Sequence, residues 1–343
     1  MKKINLIRFI LIIALFASGS IFASGGSRNG TAGATELLIP VGARGIAMSG
    51  STLVNSTGVE ALYWNPANLS RSDFGTNVMF SHMNYIADIG VEYGAISTNV
   101  EGFGALAFSL KSLNIGSIPI TSVDHPDGTG QSFTPSFVTM GLTYSRLLSD
   151  RISVGVTVNL ISERLDLVST TGFAFNVGIS YKNLGNINGL SFAVVLKNLG
   201  PQMKYDGSGL NILASSTSLD RTPQYYKIDA AGFELPSTLE IGLGYAYNIN
   251  ANNQLMVNGV FQNSNFYGDE YKGGLEYSYN KLFFVRAGYD YVQLDNTQDS
   301  IYGPSAGVGL DYVVGGFDLK VDYAWRGVKY FGANHIISVT LGF

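Results

Sequence analysis

Cysteine is absent from the 343 residues, proline occurs only nine times, and 13% of the residues are charged, about half the usual share. Without cysteine the chain can be neither a disulfide-stapled scaffold nor a lipoprotein anchored through an acylated thiol. No long apolar run follows Phe22, so no helix of the mature chain is expected to cross a bilayer. A net charge of −4 supplies no basic field, which argues against nucleic acid as a partner. The three histidines, His82, His125 and His335, are far apart and fit no metal spacing, and no Gly-Lys-Ser/Thr phosphate loop follows any glycine cluster. No catalytic residue, metal ligand or cofactor is therefore expected, and the chain is not expected to be an enzyme.

What is abundant is glycine (42), tyrosine (20) and phenylalanine (20), in a chain that is 46% hydrophobic. The N-terminus has cations at Lys2, Lys3 and Arg8, an apolar stretch from Phe9 to Phe22, and small residues around Ala23. That is the layout of a secretory signal peptide, and at about 14 residues the apolar part is too short for a membrane anchor. Residues 1–23 are assigned to it, with cleavage after Ala23.

From Thr76 onward, hydrophobicity alternates with a period of two. Phe317, Leu319, Val321, Tyr323 and Trp325 share one face, and Asp318, Lys320, Asp322 and Arg326 the other. The same holds for Ile152 to Leu160 against Ser153 to Asn159, and for Leu239 to Tyr247 against Glu240 to Ala246. Successive side chains of a strand point to opposite faces, so this period predicts strands. Strands are expected near 76–85, 91–100, 102–111, 133–146, 151–163, 171–182, 189–198, 235–247, 253–263, 270–280, 281–291, 303–314, 315–326 and 333–343. An even set of about 14, joined alternately by tight turns and longer loops, predicts an all-β transmembrane up-and-down antiparallel barrel in the bacterial outer membrane. Tyrosines toward strand ends, such as Tyr247, Tyr279, Tyr289 and Tyr291, suit the two membrane interfaces. The longest loops, 112–132 and 199–234, are where a partner would be held, the second carrying Tyr225 and Tyr226.

Residues 24–75 do not alternate. This segment is expected to lie inside the barrel of residues 76–343 as a lumen plug, where an irregular backbone can find hydrogen-bond partners away from lipid. On the strands, Glu240, Lys272, Glu276, Arg286, Asp290, Asp311, Asp318, Lys320, Asp322 and Arg326 fall on the polar, inward face. Opposite charges there are expected to pair across neighbouring strands.

The stretch Gly42-Ala43-Arg44-Gly45-Ile46-Ala47-Met48-Ser49-Gly50, with Ala61-Leu62-Tyr63-Trp64-Asn65-Pro66-Ala67-Asn68-Leu69, resembles the Gly-Ala-Arg and Tyr-Trp-Asn-Pro-Ala motifs of the PorV/PorQ proteins, relatives of FadL-type transporters. Leu235-Pro236-Ser237-Thr238-Leu239 and the ending Asn334 to Phe343 extend the likeness, while Ser49 and Asn68 stand where glycine is usual. The resemblance makes Gly42, Ala43, Arg44, Asn65, Pro66 and Ala67 the plug motif. It implies a role in type IX protein secretion or surface attachment, with secreted cargo or secretion subunits as partners. Alternatively it implies a FadL-like channel for long-chain fatty acids or other hydrophobic small molecules.

Outer-membrane lipid and the barrel-assembly machinery are the remaining expected partners. The last strand carries Ile337, Val339 and Leu341 outward and ends on Phe343, the kind of terminal aromatic that assembly machinery recognises. Deleting Phe343 is expected to lower the outer-membrane yield of the protein while its periplasmic level holds, as read by fractionation and immunoblotting. An unchanged membrane yield would count against the assignment.

Overall fold

The computed structural model describes residues 30–215, 222–293 and 300–343; the expected signal peptide lies outside them. Fourteen antiparallel strands form the wall: β1 (Thr76–Asn84), β2 (Gly90–Val100), β3 (Gly104–Asn114), β4 (Ser136–Leu147), β5 (Ile152–Leu165), β6 (Val168–Lys182), β7 (Leu190–Leu199), β8 (Thr238–Asn248), β9 (Gln254–Ser264), β10 (Asp269–Tyr279), β11 (Phe283–Gln293), β12 (Tyr302–Val314), β13 (Phe317–Val328) and β14 (Asn334–Gly342). Each pairs with the next in sequence, and β14 pairs with β1 from Gly342 opposite Asn77 to His335 opposite Asn84. Phe343 completes the closure: Thr76 N donates to its carbonyl (2.8 Å) and its own N–H donates to the Thr76 carbonyl (2.9 Å). Closure leaves no unpaired sheet edge, the condition for strands to live in lipid.

The period of two becomes two chemically opposite surfaces. Outward positions are large and apolar, with Phe80 64% and Leu142 61% exposed, whereas inward Ser145 and Thr157 are 0% and 2% exposed. A polar interior under an apolar exterior is the reverse of a soluble protein, and it is what a bilayer requires of a barrel. Aromatic residues bound the belt: Tyr247 and Tyr279 near one end, Tyr289 and Tyr291 near the other, all exposed. Among the described residues no helix is long and apolar enough to cross a membrane.

Turns follow from local chemistry. Gly315 and Gly316 both have positive φ (59° and 87°), as do Asn280 and Lys281 (both 54°), the left-handed geometry that matches a tight hairpin to strand twist. The β5–β6 connection is only Asp166-Leu167, where the alternation predicts a longer loop, because β5 and β6 run past the length needed to span the bilayer. The 200–237 loop contains a hairpin of Asn211–Ala214 with Gln224–Lys227, and Ile118–Pro119 pairs with Ser132–Phe133 in the 115–135 loop.

Inside the barrel lie the helices α1 (Ala43–Ala47) and α2 (Ala61–Trp64) and several single 3-10 turns, among them Pro66–Arg71. Fourteen strands enclose more space than their own inward side chains can fill. The wall makes room where the segment touches it. Gly155 and Gly178, directly opposite on β5 and β6, face Pro66 and Asn65: a Cβ would stand 2.4 Å from the Pro66 carbonyl and 2.2 Å from Asn65 Oδ1. On the far side Gly274 and Gly288, opposite on β10 and β11, meet Met48 and Ser51 in the same way.

These contacts leave no room for a side chain. Gly288→Val is expected to displace Met48-Ser49 and speed backbone hydrogen exchange over residues 43–51, with an overpacking cost of ~1–3 kcal/mol. Gly259→Ala, which meets nothing within 4 Å, should leave exchange there unchanged.

Candidate functional site

The inner segment is held by polar contacts that its irregular backbone needs and the barrel's inward serines supply. Ser338 Oγ accepts from Ala43 N (3.1 Å), Ser305 Oγ donates to the Ala47 carbonyl (2.9 Å) and accepts from Ser49 N (3.1 Å), and Ser145 Oγ donates to the Ala67 carbonyl (2.9 Å). Within the segment Asn65 caps the following 3-10 turn: its Oδ1 accepts from Ala67 N (3.0 Å), and its Nδ2 donates to the Leu53 carbonyl (3.0 Å). Pro66 suits that first position because its fixed φ is already helical and it has no N–H to satisfy. Gly42, at φ 83°, turns the chain into α1, and Ala43, packed at 0% exposure, leaves no space for a larger residue. The plug-motif residues are thus brought together in one body but form two separate anchor points, α1 against β11–β14 and the Asn65 turn against β3–β6.

Arg44 joins the segment to the wall electrostatically. Its Nε and Nη2 donate to the two carboxylate oxygens of Glu276 on β10 (2.8 and 2.9 Å), while Nη1 reaches Glu60 within the segment (3.1 Å). Glu276 also takes Arg286 Nε (2.5 Å), and Arg286 Nη1 reaches Asp322 (2.5 Å) across β12, where Gly309 leaves the path clear. Burial would lower the Arg44 pKa, but Glu276 and Glu60 together raise it well above its ordinary value, so the guanidinium stays charged. A bidentate arginine–carboxylate pair is geometrically strict and cannot be replaced by a lysine.

Tyr63 and Trp64, packed edge to face with centroids 4.9 Å apart, receive wall lysines. Lys197 Nζ lies 4.9 Å from the Tyr63 centroid and 5.5 Å from that of Trp64, and Lys111 Nζ lies 5.3 Å from Tyr63. Lys197 is then fixed by Glu240 at 2.8 Å.

Around the segment the lumen divides. Toward the end that carries the long loops lies a cavity of about 850 Å³. One wall is apolar, with Ile39, Ile46, Trp64, Ile89, Leu113, Ile115 and Phe137; the other carries Lys197, Glu240, Gln262, Glu270, Lys272, Asp290 and Arg326. Toward the opposite end lies a smaller space of about 200 Å³, lined by Arg44, Glu60, Glu276, Arg286, Asp311, Lys320 and Asp322. Lys320 there pairs with Asp318 (3.1 Å) and Asp311 (3.4 Å). The expected inward charges therefore all face the lumen but separate into an outer group and an inner group, and Phe343 stands on the outer surface beside Phe317, ring centroids 6.5 Å apart. Among the described residues no cluster of three or more His, Asp or Glu side chains could hold a metal ion.

One buried acid escapes any reading by period. Glu36, in the turn Thr35–Leu38, sits 4% exposed beside Glu163 of β5, 2% exposed; each keeps one carboxylate oxygen without a hydrogen-bond partner. The Tyr205 hydroxyl from the 200–237 loop donates to Glu163, and Lys111 Nζ donates to the carbonyls of Glu36 (2.7 Å) and Ile39 (3.2 Å). Burial first, then repulsion from Glu163, pushes the Glu36 carboxyl up to about 7. Glu36 and Glu60 lie in the non-alternating segment, where no pattern assigns a side chain to a face. Lys197 is different: it alternates with Leu196 on β7 and its inward position was open to the same count that placed Glu240.

No protein-family model matches the chain, and no curated protein sequence matches it. Solved structures do. The chain is similar to the CymD monoaromatic hydrocarbon channel, with a TM-score of 0.55 and 13% identity over 89% of this chain and 98% of that one. It is similar to the Pseudomonas putida toluene transporter TodX (TM-score 0.53, 12% identity, 87% and 96% covered). A Pseudomonas aeruginosa FadL homologue matches with a TM-score of 0.50 and 12% identity over 89% of this chain and 98% of that chain. These likenesses establish a shared outer-membrane barrel fold.

Proposed function

We propose that this barrel is a FadL-like outer-membrane channel that admits a hydrophobic small molecule at its outer mouth and passes it by movement of the inner segment, without catalysing a reaction. The observation that carries this reading is the cavity of about 850 Å³ between the segment and the long loops, apolar on one side. Its size lies within the range of small-molecule sites. The fold shared with the CymD and TodX channels supports it further. A second reading, capture of secreted cargo in the manner of the PorV/PorQ proteins, is favoured by the hairpin of the 200–237 loop, on whose strands Leu213, Tyr225 and Tyr226 are exposed. The motifs around Arg44 and Asn65 suit either reading, since both need a segment docked inside a barrel.

Purification from membranes in mild detergent followed by native mass spectrometry separates the two. A channel retains apolar molecules, and Ile89→Asp at the cavity wall should weaken that retention by about tenfold or more, the worth of one buried aliphatic side chain. Co-purification of secreted proteins sharing a β-rich C-terminal domain, with an empty lumen, would favour cargo capture instead.

Release of the segment is coupled to pH through Glu36. Its carboxyl holds a proton in the docked state between its ordinary value of 4.5 and about 7. Docking is therefore tightest below that interval and weakens as pH rises through it. Hydrogen exchange over residues 34–39, corrected for its intrinsic pH dependence, should speed several-fold from pH 5 to pH 8, and Glu36→Gln should flatten the change. A flat profile in the unmodified protein would remove Glu36 from control of docking.

A further inference from the structure

The charged wall of the outer cavity is not uniformly satisfied. Lys197 is taken by Glu240 at 2.8 Å, and Lys272 by Glu270 and Gln262, both at 2.7 Å. Asp290 on β11 stands opposite Lys272 in the register and is attracted by it, but among the described residues neither Asp290 nor Arg326 on β13 makes a direct ion pair or hydrogen bond. Asp290 Oδ1 and Arg326 Nε and Nη2 are buried without partners, and the Arg326 side chain is held flat, its guanidinium carbon 4.0 Å from the Tyr302 ring centroid. The Tyr302 hydroxyl is in turn hydrogen-bonded to Tyr85 at 2.5 Å, which fixes the ring.

Only β12 lies between the two groups, and opposite Arg326 it presents Ser305. Two strand spacings are roughly 9–10 Å, a span that Arg286 and Asp322 close directly on the same two strands; Arg326, held on the Tyr302 ring, leaves it open to a head group. Lys197 and Lys272 each have a carboxylate in direct contact, which leaves Asp290 and Arg326 as the two charged groups of this wall without one.

We propose that the cavity takes a single-chain amphiphile with a zwitterionic head, its anionic group on Arg326 and its cationic group on Asp290. The chain would lie against Ile39, Ile46, Leu113, Ile115 and Phe137. This rests on the reading of the cavity as a ligand site and narrows it. A purely anionic head satisfies Arg326 but strips water from Asp290 without replacing it, a cationic head does the converse, and a hydrocarbon leaves both unsatisfied. Only a head of both signs returns a partner to each.

The test uses the full-length mature protein in lipid nanodiscs, with native mass spectrometry of competing probes: palmitoyl lysophosphatidylethanolamine, palmitate, hexadecyltrimethylammonium and hexadecanol. The zwitterion should bind about tenfold more tightly than any of the others. Asp290→Asn should bring its affinity down to that of palmitate without weakening palmitate, and Arg326→Gln should weaken the zwitterion and palmitate but not the ammonium probe. Palmitate or hexadecanol binding as tightly as the zwitterion would overturn the inference while leaving the cavity a ligand site. Binding of none of the probes would overturn the channel reading itself, and this inference with it.

Discussion

A guanidinium placed inside a barrel must be neutralised where it stands, and Arg44 is neutralised from both sides. Glu60 comes from its own segment and Glu276 from the wall, so the charge can be left in the lumen only while the segment is docked. Removing one partner of such a buried pair costs about 3–5 kcal/mol, because the survivor keeps an uncompensated charge. Glu276 in turn orders Arg286, and Arg286 orders Asp322, which extends the constraint over β10, β11 and β13. The position of the inner segment and the arrangement of charges on a quarter of the wall are one problem with one solution.

The backbone imposes the second condition. A segment of short turns has many carbonyls and N–H groups without intrahelical partners, and in the lumen these have to be met by side chains or by water. The wall meets them with serines, Ser145, Ser305 and Ser338, which reach a short distance and take up little volume. Opposite Ser145 and Ser305 stand Gly155 and Gly288, which permit the close approach of the segment there. The sequence spends its glycine where backbone meets backbone, and that is why an inward face of an apolar chain can look so featureless in composition.

The barrel was legible because one rule, a period of two, acts on every strand separately, and all fourteen strands lie where that rule puts them. It failed at Asp166-Leu167, where the strands continue beyond the membrane and the alternation no longer reports which face meets lipid. The charges were legible as inward but not as neighbours. Glu276 and Arg286 are opposite each other in the register and could be paired by counting back from the Asn280-Lys281 turn. That Arg44, 232 residues away, should reach the same carboxylate follows from no local pattern. The Glu36 and Glu163 pair was hidden for the same reason, with one partner in a segment that has no period at all.

The two spaces on either side of the segment differ in what they can hold. The outer one has a continuous apolar wall and can shelter a hydrocarbon chain; the inner one is lined by the Arg44 chain and by Lys320 with its two aspartates, a surface that water and ions suit and a hydrocarbon does not. A molecule resting in the outer cavity has Ile46, Trp64 and the α1 turn beneath it. In the proposed channel, passage toward the other end would require α1 to move. Moving α1 draws Arg44 away from Glu276, and Arg286 and Asp322 are left to compensate each other and the freed carboxylate. The chain Glu276–Arg286–Asp322 retains one cation between two anions after Arg44 departs, so the wall keeps a partner for every group but gains a net negative charge. That residual charge would attract the guanidinium and so favour the docked arrangement.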